Sequence, residues 1–542
     1  MFEVEINTFD YNKGDYESWY LPFDYHCLYI IEDGKNAYIG ETKDVVQRSK
    51  EHKCSKDSCS KYNLKNIHVI TGKSFEETPA KQFETQLIRL FEADGKFNVI
   101  NKKEQEWQHY DRKNDFELCF DNLWFELEKK GLVKHKDIQS VMNLTEYKYA
   151  MNISLTKSQH DAITSIIHTL DSGETFSHKN GFHSRPILVS GDAGTGKTVV
   201  ATSLFYYLKQ HDDYKNLKIG LVYSTTSTRR EIQMLFKSIP GLYKKYVISP
   251  IELTKEHYDI IICDEAQRLR RSKNAGRNYN YLLKMGNQRL GLDSKCDELD
   301  WILKNSDRQI FFYDEKQSVC PTDITYDSFF ARLDSRYRGI RPITLNEQMR
   351  VEAGSLYVPY VYDVLNQKTN REKMFDNYEF KLFESFDDMV QQIKNKEKEF
   401  GLCRLCGGYA WKWISQDTRD TPDIKIENTS IYWNSINAGW LRDDSKKEEM
   451  GSIYSLAGLD LNYTAIVIGN ELYYDTNDNC IKVNKDAFYD NKVKNNVSDA
   501  ELKNFILNTY AVLMTRGIMG TYVYVCDVNL RNYLKKYIPV SE

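Results

Sequence analysis

Residues Gly191 to Thr198 read GDAGTGKT, between the apolar run PILVS (Pro186 to Ser190) and VVATSLFYYL (Val199 to Leu208). Every fixed position of the phosphate-loop pattern G-x-x-x-x-G-K-[ST] is filled, and the motif lies where its mechanism requires, between a strand and a helix. Gly191, Gly194, Thr195 and Gly196 let successive backbone N–H groups turn inward around an anion, and the following helix adds its positive N-terminal end. In such a loop Lys197 reaches the β- and γ-phosphates while the Thr198 hydroxyl holds Mg²⁺. A glycine-rich turn with a chance lysine would be the bland alternative. The motif predicts an α/β layer that binds a nucleotide, with ATP as the expected ligand.

At 542 residues the chain is too long for one ordinary core, which predicts several domains. No apolar run approaches the ~20 residues that span a bilayer, and the N-terminus MFEVEINTFDYNKGDYE is acidic where a signal peptide would be basic. These features predict a cytoplasmic protein without a membrane segment. Eleven scattered cysteines do not make a disulfide framework, as fits a reducing compartment. A net charge of −4 leaves nucleic-acid binding open, because phosphate affinity depends on local patches rather than on the sum.

From Cys27 the chain reads CLYIIEDGKNAYIGETKDVVQRSKEHK, two short apolar segments around the turn signal Asp33-Gly34. That pattern predicts a hairpin with Tyr29 and Tyr38 on neighbouring strands. Arg48 and His52, four apart, share one face of the helix that follows. In KQFETQLIRLFEADGKFNVIN, apolar residues recur at helical spacing, with Glu84 near the start and Gly95 as a stop. His52, Cys54 and Cys59 lack a fourth zinc ligand at a recognisable spacing. Lys43, Arg48, Lys50, Lys53, Lys56, Lys61 and Lys65 form either a surface for a nucleic-acid backbone or a solvated charged face.

Residues 24–102 resemble the GIY-YIG endonuclease domain. Tyr38-Ile39-Gly40 is the second motif verbatim, Tyr29 matches the first tyrosine, and Arg48, His52, Glu84 and Asn98 occur in the family's order. The first motif departs from the pattern, reading Cys27-Leu28-Tyr29 without its glycine. The resemblance implies that a tyrosine or histidine activates water, that Glu84 holds one divalent metal, Mg²⁺ or Mn²⁺, and that Arg48 stabilises charge on the phosphate. Phosphodiester hydrolysis needs such a base, charge neutralisation and a metal or donor for the leaving oxygen.

Residues 103–150 are charged with intermittent apolar positions and predict a helical connector. Gln159 then opens an amphipathic helix, where its amide could pair with an adenine edge. LKIGLVYSTTSTRREI runs from a strand into a Ser/Thr-rich turn, a plausible contact for nucleic-acid backbone. YDIIICDEAQR is a buried strand ending in Asp264, which would bind Mg²⁺, and Glu265, which would polarise the attacking water.

The series is similar to that of superfamily one helicases, and most of all to the bacterial and Schlafen-type DNA/RNA helicase-like domain, over residues 151–542. Asp314 and Gln317 match a sensor motif in which Tyr313 replaces the usual glycine. Arg350 matches motif four, Gly458, Leu459 and Asp460 motif five, and Tyr510, Thr515 and Arg516 motif six. The resemblance makes Arg350 and Arg516 arginine fingers acting on a nucleotide between two lobes. Cys403 and Cys406 form a lone C-x-x-C, better suited to packing than to zinc. The stretch from Arg268 to Asp307, with Arg268, Arg270, Arg271, Lys273 and Arg277, is either an added contact surface or a solvated loop.

The expected architecture is an α/β protein: a small α+β GIY-YIG domain (1–102), a connector (103–150), and two RecA-like P-loop lobes with mainly parallel sheets (151–343 and 344–542). The expected partner is nucleic acid, DNA before RNA, with an oligomer or accessory protein left open. The expected activity is an ATP-dependent nuclease, with a repair helicase or a non-translocating ATP-switched RNA nuclease as alternatives.

Overall fold

The computed structural model describes residues 4–13, 26–54, 58–72, 77–101, 113–144, 147, 155–172, 175–178, 181–239, 241–271, 276–337, 339–416, 419–456, 458–495 and 497–541. The chain divides into two compact units, Met1–Ser154 and Leu155–Glu542. Among the described residues no helix is long and apolar enough to cross a membrane.

The first unit is built on a five-stranded sheet of order β1-β4-β2-β3-β5, with β1 Val4–Asp10, β2 Cys27–Glu32, β3 Asn36–Thr42, β4 Asn66–Gly72 and β5 Asn98–Val99. Only the β3/β5 pair is parallel. The β2–β3 hairpin closes as its sequence requires. Asp33 Oδ1 accepts from the N–H groups of Lys35 and Asn36, and Gly34 takes the left-handed φ of 86°. Helices α1 (Val45–His52) and α2 (Glu77–Asp94) follow.

The expected connector does not stand apart. Its helix α3 (Lys113–Lys129) places Phe120, Leu123, Trp124 and Leu127 in the same core as Phe83, Leu87 and Phe91 of α2. Phe83 stacks on Phe120 with ring centroids 4.7 Å apart, and Trp124 donates to the His135 carbonyl at 3.1 Å. The intermittent apolar positions of this segment are one helix face completing a core too small to close alone.

The second unit holds two parallel sheets. The first has the order Val247–Ile248, Ile219–Val222, Tyr258–Cys263, Ser306–Tyr313, Ile187–Gly191, Ile343–Leu345. The second runs Glu379–Leu382, Gly517–Val525, Leu461–Ile468, Cys403–Gly407. Their strands are apolar nearly throughout because helices cover both faces. Cys403 and Cys406 lie in two different cores, which suits packing and not a shared metal.

Two local departures from the helicase pattern are accommodated by packing. Tyr313, at the sensor-motif glycine, is fully buried and donates to the Ile324 carbonyl at 2.7 Å. The stretch from Arg268 to Asp307 is not a solvated loop: helices Arg277–Leu290 and Glu298–Lys304 cross where Gly286 lies against the buried Trp301 ring. Arg268 is buried and paired with Asp323 at 3.2 Å, so it offers no contact surface. Lys56, Lys273 and the side chain of Arg277 lie outside the described residues.

Candidate functional site

In the first unit Tyr29 on β2 faces Gly40 on β3, and Tyr38 faces Ile31. Both tyrosines therefore share one face of the hairpin, with their rings stacked 6.1 Å apart. A Cβ at Gly40 would lie 2.3 Å from the Tyr29 hydroxyl oxygen, so this glycine is the space the ring occupies. Helix α1 brings His52 to the same place. Its Nε2 and the Tyr29 hydroxyl are 2.8 Å apart, and its ring meets Tyr38 edge-on at 4.4 Å. Cys27, at the missing motif glycine, is buried with its thiol on the Thr42 carbonyl, so the strand tolerates the change.

Burial and then the neighbouring Tyr38 push the Tyr29 phenol far up, and Glu84 adds to the rise. Burial likewise raises Tyr38. A free phenolate is thus disfavoured, and a proton leaving Tyr29 has His52 as its acceptor. Arg48 faces both phenols. Burial opposes its charge, but hydrogen bonds to Glu51 and Tyr29 outweigh that effect and hold the guanidinium above its ordinary range. Glu84 is buried in the middle of α2 rather than at its start, close enough to raise both tyrosines. A buried carboxylate beside two neutral phenols fits one divalent cation that keeps most of its waters.

Asn98 does not join this group. It is exposed on β5 and donates to Asn36 Oδ1 at 3.0 Å. The motif backbone is held instead by Asn101, whose Oδ1 accepts from Ile39 N at 3.0 Å and whose Nδ2 donates to the Ile39 carbonyl. Asn101 lies three residues on in the same FNVIN run, and only the strand pairing distinguishes the two.

In the second unit the phosphate loop follows strand Ile187–Gly191, and Gly194 and Gly196 adopt φ of 85° and 80°. Lys197 is buried, donating to the carbonyls of Gly191 at 2.7 Å and Asp192 at 2.9 Å and pairing with Asp314 at 2.9 Å. Thr198 Oγ1 donates to Asp264 Oδ2 at 2.7 Å. Burial, then Glu265 alongside, push the Asp264 carboxyl up to about 6. A cation bound by this hydroxyl–carboxylate pair would relieve that cost, so the donor set fits Mg²⁺. Glu265 takes a left-handed φ of 49°, the kind of strain that clusters at functional positions.

A chain of polar contacts leads from Lys197 across to the second lobe. Gln317 Nε2 donates to Asp314 Oδ2 at 2.7 Å, and Arg516 Nη2 donates to Gln317 Oε1 at 3.4 Å. Burial and the adjacent Arg350 lower the Arg516 guanidinium to about 10. Arg350 pairs with Asp460 at 2.5 Å. The structure thus brings Lys197, Thr198, Asp264, Glu265, Asp314, Gln317, Arg350 and Arg516 to one cleft.

Two residues expected at the ligand also make protein contacts. Gln159, expected at the adenine edge, accepts from Thr156 N at 3.1 Å and donates to the Thr195 carbonyl at 3.0 Å, bracing the loop under Gly196. Gly458 lies against Thr228, where a Cβ would sit 2.5 Å from Oγ1, so it also serves the contact between the lobes. Ser227 donates to the Tyr454 carbonyl at 3.2 Å, which turns the Ser/Thr segment toward the second lobe as well. Sequence reading missed Gln348. Its Nε2 donates to the Ala193 carbonyl at 2.7 Å, while Met349 N donates to Gly194 O at 2.8 Å. Its only signal was its place two residues before Arg350.

Fold and clefts together define a nuclease domain joined to a helicase-like P-loop ATPase domain, and the chain is an enzyme of that kind. Two family profiles agree: the GIY-YIG catalytic domain matches residues 25–98, and the Schlafen group 3, DNA/RNA helicase domain matches residues 184–527. The chain belongs to the Schlafen group 3 DNA/RNA helicase-domain family. An uncharacterized protein of Saccharomyces cerevisiae is 26% identical over 430 residues, which cover 71% of this chain and 91% of the relative. Among solved structures, the Pif1 helicase from Candida albicans aligns at 10% identity and a TM-score of 0.30, covering 70% of this chain and 96% of that one. The Arterivirus nonstructural protein 10 helicase aligns at 12% and 0.29, covering 70% and 64%.

Proposed function

We propose that the protein is an ATP-dependent nuclease: nucleotide hydrolysis in the second unit drives translocation on, or sensing of, a nucleic-acid strand, and the first unit cleaves phosphodiester bonds. The observation that supports this most is the contact chain Lys197–Asp314–Gln317–Arg516, which joins the loop lysine to a buried arginine of the other lobe. A triphosphate entering the loop takes over Lys197 from Asp314, and Gln317 carries that change to Arg516. Asp264 and Thr198 would hold Mg²⁺, Glu265 would orient water, and Arg516 with Arg350 would steady charge on the transferred phosphoryl group. At the nuclease site Glu84 would hold Mg²⁺ or Mn²⁺, which supplies charge neutralisation at the scissile phosphate. Tyr29, relayed through His52, would take a proton from water, and Arg48 would bind a non-bridging oxygen. DNA is the preferred substrate in this reading, and defence against foreign DNA is the role that such a fusion suits.

The contact of the Ser/Thr turn with the second lobe favours one alternative, an ATP switch that opens and closes without travelling along a strand. The test is a cleavage panel of labelled single- and double-stranded DNA and RNA with Mg²⁺, with and without ATP, comparing the wild type with Lys197→Ala and Glu84→Ala. ATP-stimulated cleavage that disappears in both variants is the expected result. Cleavage that Lys197→Ala leaves unaltered by ATP presence or absence, at the wild-type rate, defeats the coupling. Displacement of streptavidin from a biotinylated strand separates travel from switching.

A further inference from the structure

We infer that Tyr147 is a positioning residue of the nuclease site, one that fixes helix α2 and with it the Glu84 carboxylate. The inference rests on the reading of Glu84 given above, as the group that would hold the metal. Tyr147 lies beyond residues 25–98, the stretch that the catalytic-domain profile covers, so a bare domain of that length lacks it.

Helix α2 needs such a hold. Its inner face, with Phe83, Leu87, Ile88 and Phe91, packs in an apolar core. Apolar burial is non-directional, so it resists separation of the helix better than it resists rolling. Side-chain tips lie ~5–6 Å from a helix axis, so a roll of about 10° moves one by about 1 Å. A displacement of that size near the reacting atoms can cost on the order of a hundredfold in rate.

Three contacts with Tyr147 oppose the roll from the other side of the helix. Gln86 and Arg89 are turned about 200° and 140° from Glu84 around the axis, at ~100° per residue. Gln86 Nε2 donates to the Tyr147 hydroxyl at 2.9 Å, and Arg89 Nη2 donates to the Tyr147 carbonyl at 3.2 Å. The Arg89 guanidinium also lies over the Tyr147 ring, 4.1 Å from its centroid. Unlike burial, these contacts depend on direction, so each weakens as α2 turns.

Tyr147 is itself seated by other groups. Its ring is buried in the core that holds Phe83 and Leu87, and its N–H donates to the Leu144 carbonyl at 3.1 Å. The chain reaches it through helix α4 (Ile138–Met142), whose Val141 is fully buried in that core and whose start is capped by Asp137, accepting from Ser140 N at 2.7 Å. The tyrosine is thus a fixed point against which α2 is set.

The test uses the full chain and a supercoiled plasmid, with nicking measured across a Mn²⁺ series and Mn²⁺ binding read directly from loss of the free-ion EPR signal. The difference between wild type and Glu84→Ala defines the metal bound at this site. Tyr147→Ala is expected to weaken that binding about tenfold and to lower nicking at limiting metal roughly 10- to 100-fold, with KM for the plasmid unchanged. Tyr147→Phe keeps the ring and the carbonyl and should lose about threefold or less. Arg89→Met attacks the same contact from α2, so it should shift metal binding in the same direction and add little to Tyr147→Ala. Wild-type metal binding and nicking in both Tyr147→Ala and Arg89→Met overturn the inference. So does a rate that falls only with the folded fraction seen by thermal melting, metal binding per folded molecule being unchanged. A Glu84→Ala chain that binds Mn²⁺ and nicks like the wild type overturns the reading of Glu84, and the inference with it.

Discussion

The two clefts hold their chemistry in opposite electrical states. At the nuclease site the central groups are phenols that burial keeps neutral, with His52 against one of them and Arg48 reaching both. In the P-loop cleft the central groups are charged, and two are already answered, Lys197 by Asp314 and Arg350 by Asp460, while Arg516 donates to the neutral Gln317. On the function proposed above, the first site acquires charge to work and the second exchanges charges it already holds. A site of the first kind depends on close packing, whereas one of the second kind depends on partners that can be displaced.

That contrast can be broken at four points. The largest effect should come from Arg516→Ala, which removes the buried cation of the second lobe. ATP turnover should fall by about 10³ to 10⁵-fold, measured by phosphate release, with nucleotide affinity much less changed. A fall of a few-fold would place Arg516 outside the reaction. Next, Glu84→Ala should lower metal-dependent nicking by about a thousandfold while phosphate release persists. If both activities fell together, the two sites could not be treated as separate.

Third, Gly40→Ala tests the dependence on packing. Its Cβ would collide with the Tyr29 ring, so the first unit should lose about 1–3 kcal/mol and most of its nicking activity. An equivalent test in the second unit, Gly458→Ala against Thr228, should alter the response to ATP rather than the stability of either core. Retained nicking in Gly40→Ala would show that the ring can shift without cost.

The smallest effect is one of pH. Glu471 is fully buried, and burial pushes its carboxyl up from an ordinary 4.5 to about 7 while the hydrogen bond from Tyr510 opposes the rise. Between those values the unfolded chain has released a proton that the folded chain keeps. Stability from this group is therefore full below about 4.5 and falls as pH rises through about 7. Thermal melts from pH 5 to 8 should show the second unit losing a few degrees that Glu471→Gln restores. A melt that Glu471→Gln leaves pH-dependent to the same extent would contradict this.

What the sequence made legible was the part carried by local rules. GDAGTGKT between a strand and a helix, the Asp33-Gly34 hairpin and the YDIIICDEAQ strand each depend on a short run of residues, and each is present in the structure. What was not legible concerns partners distant in sequence. Gln159 has the right chemistry for an adenine edge, but Thr195, 36 residues on, claims its amide. Asn98 and Asn101 are equivalent by composition, and only the pairing of β5 beside β3 decides which one reaches Ile39. The segment 103–150 looked like a spacer because no local pattern shows that Phe120 will meet Phe83.

Gln348 has a mechanical consequence. Its side chain fills the space that any side chain on Gly194 would need, and with Met349 it holds two successive carbonyls of the phosphate loop from the segment that follows strand Ile343–Leu345. A shift of this segment away from the loop would load those two bonds directly. The phosphate loop and this segment are thereby joined mechanically, so that neither can move without loading the other.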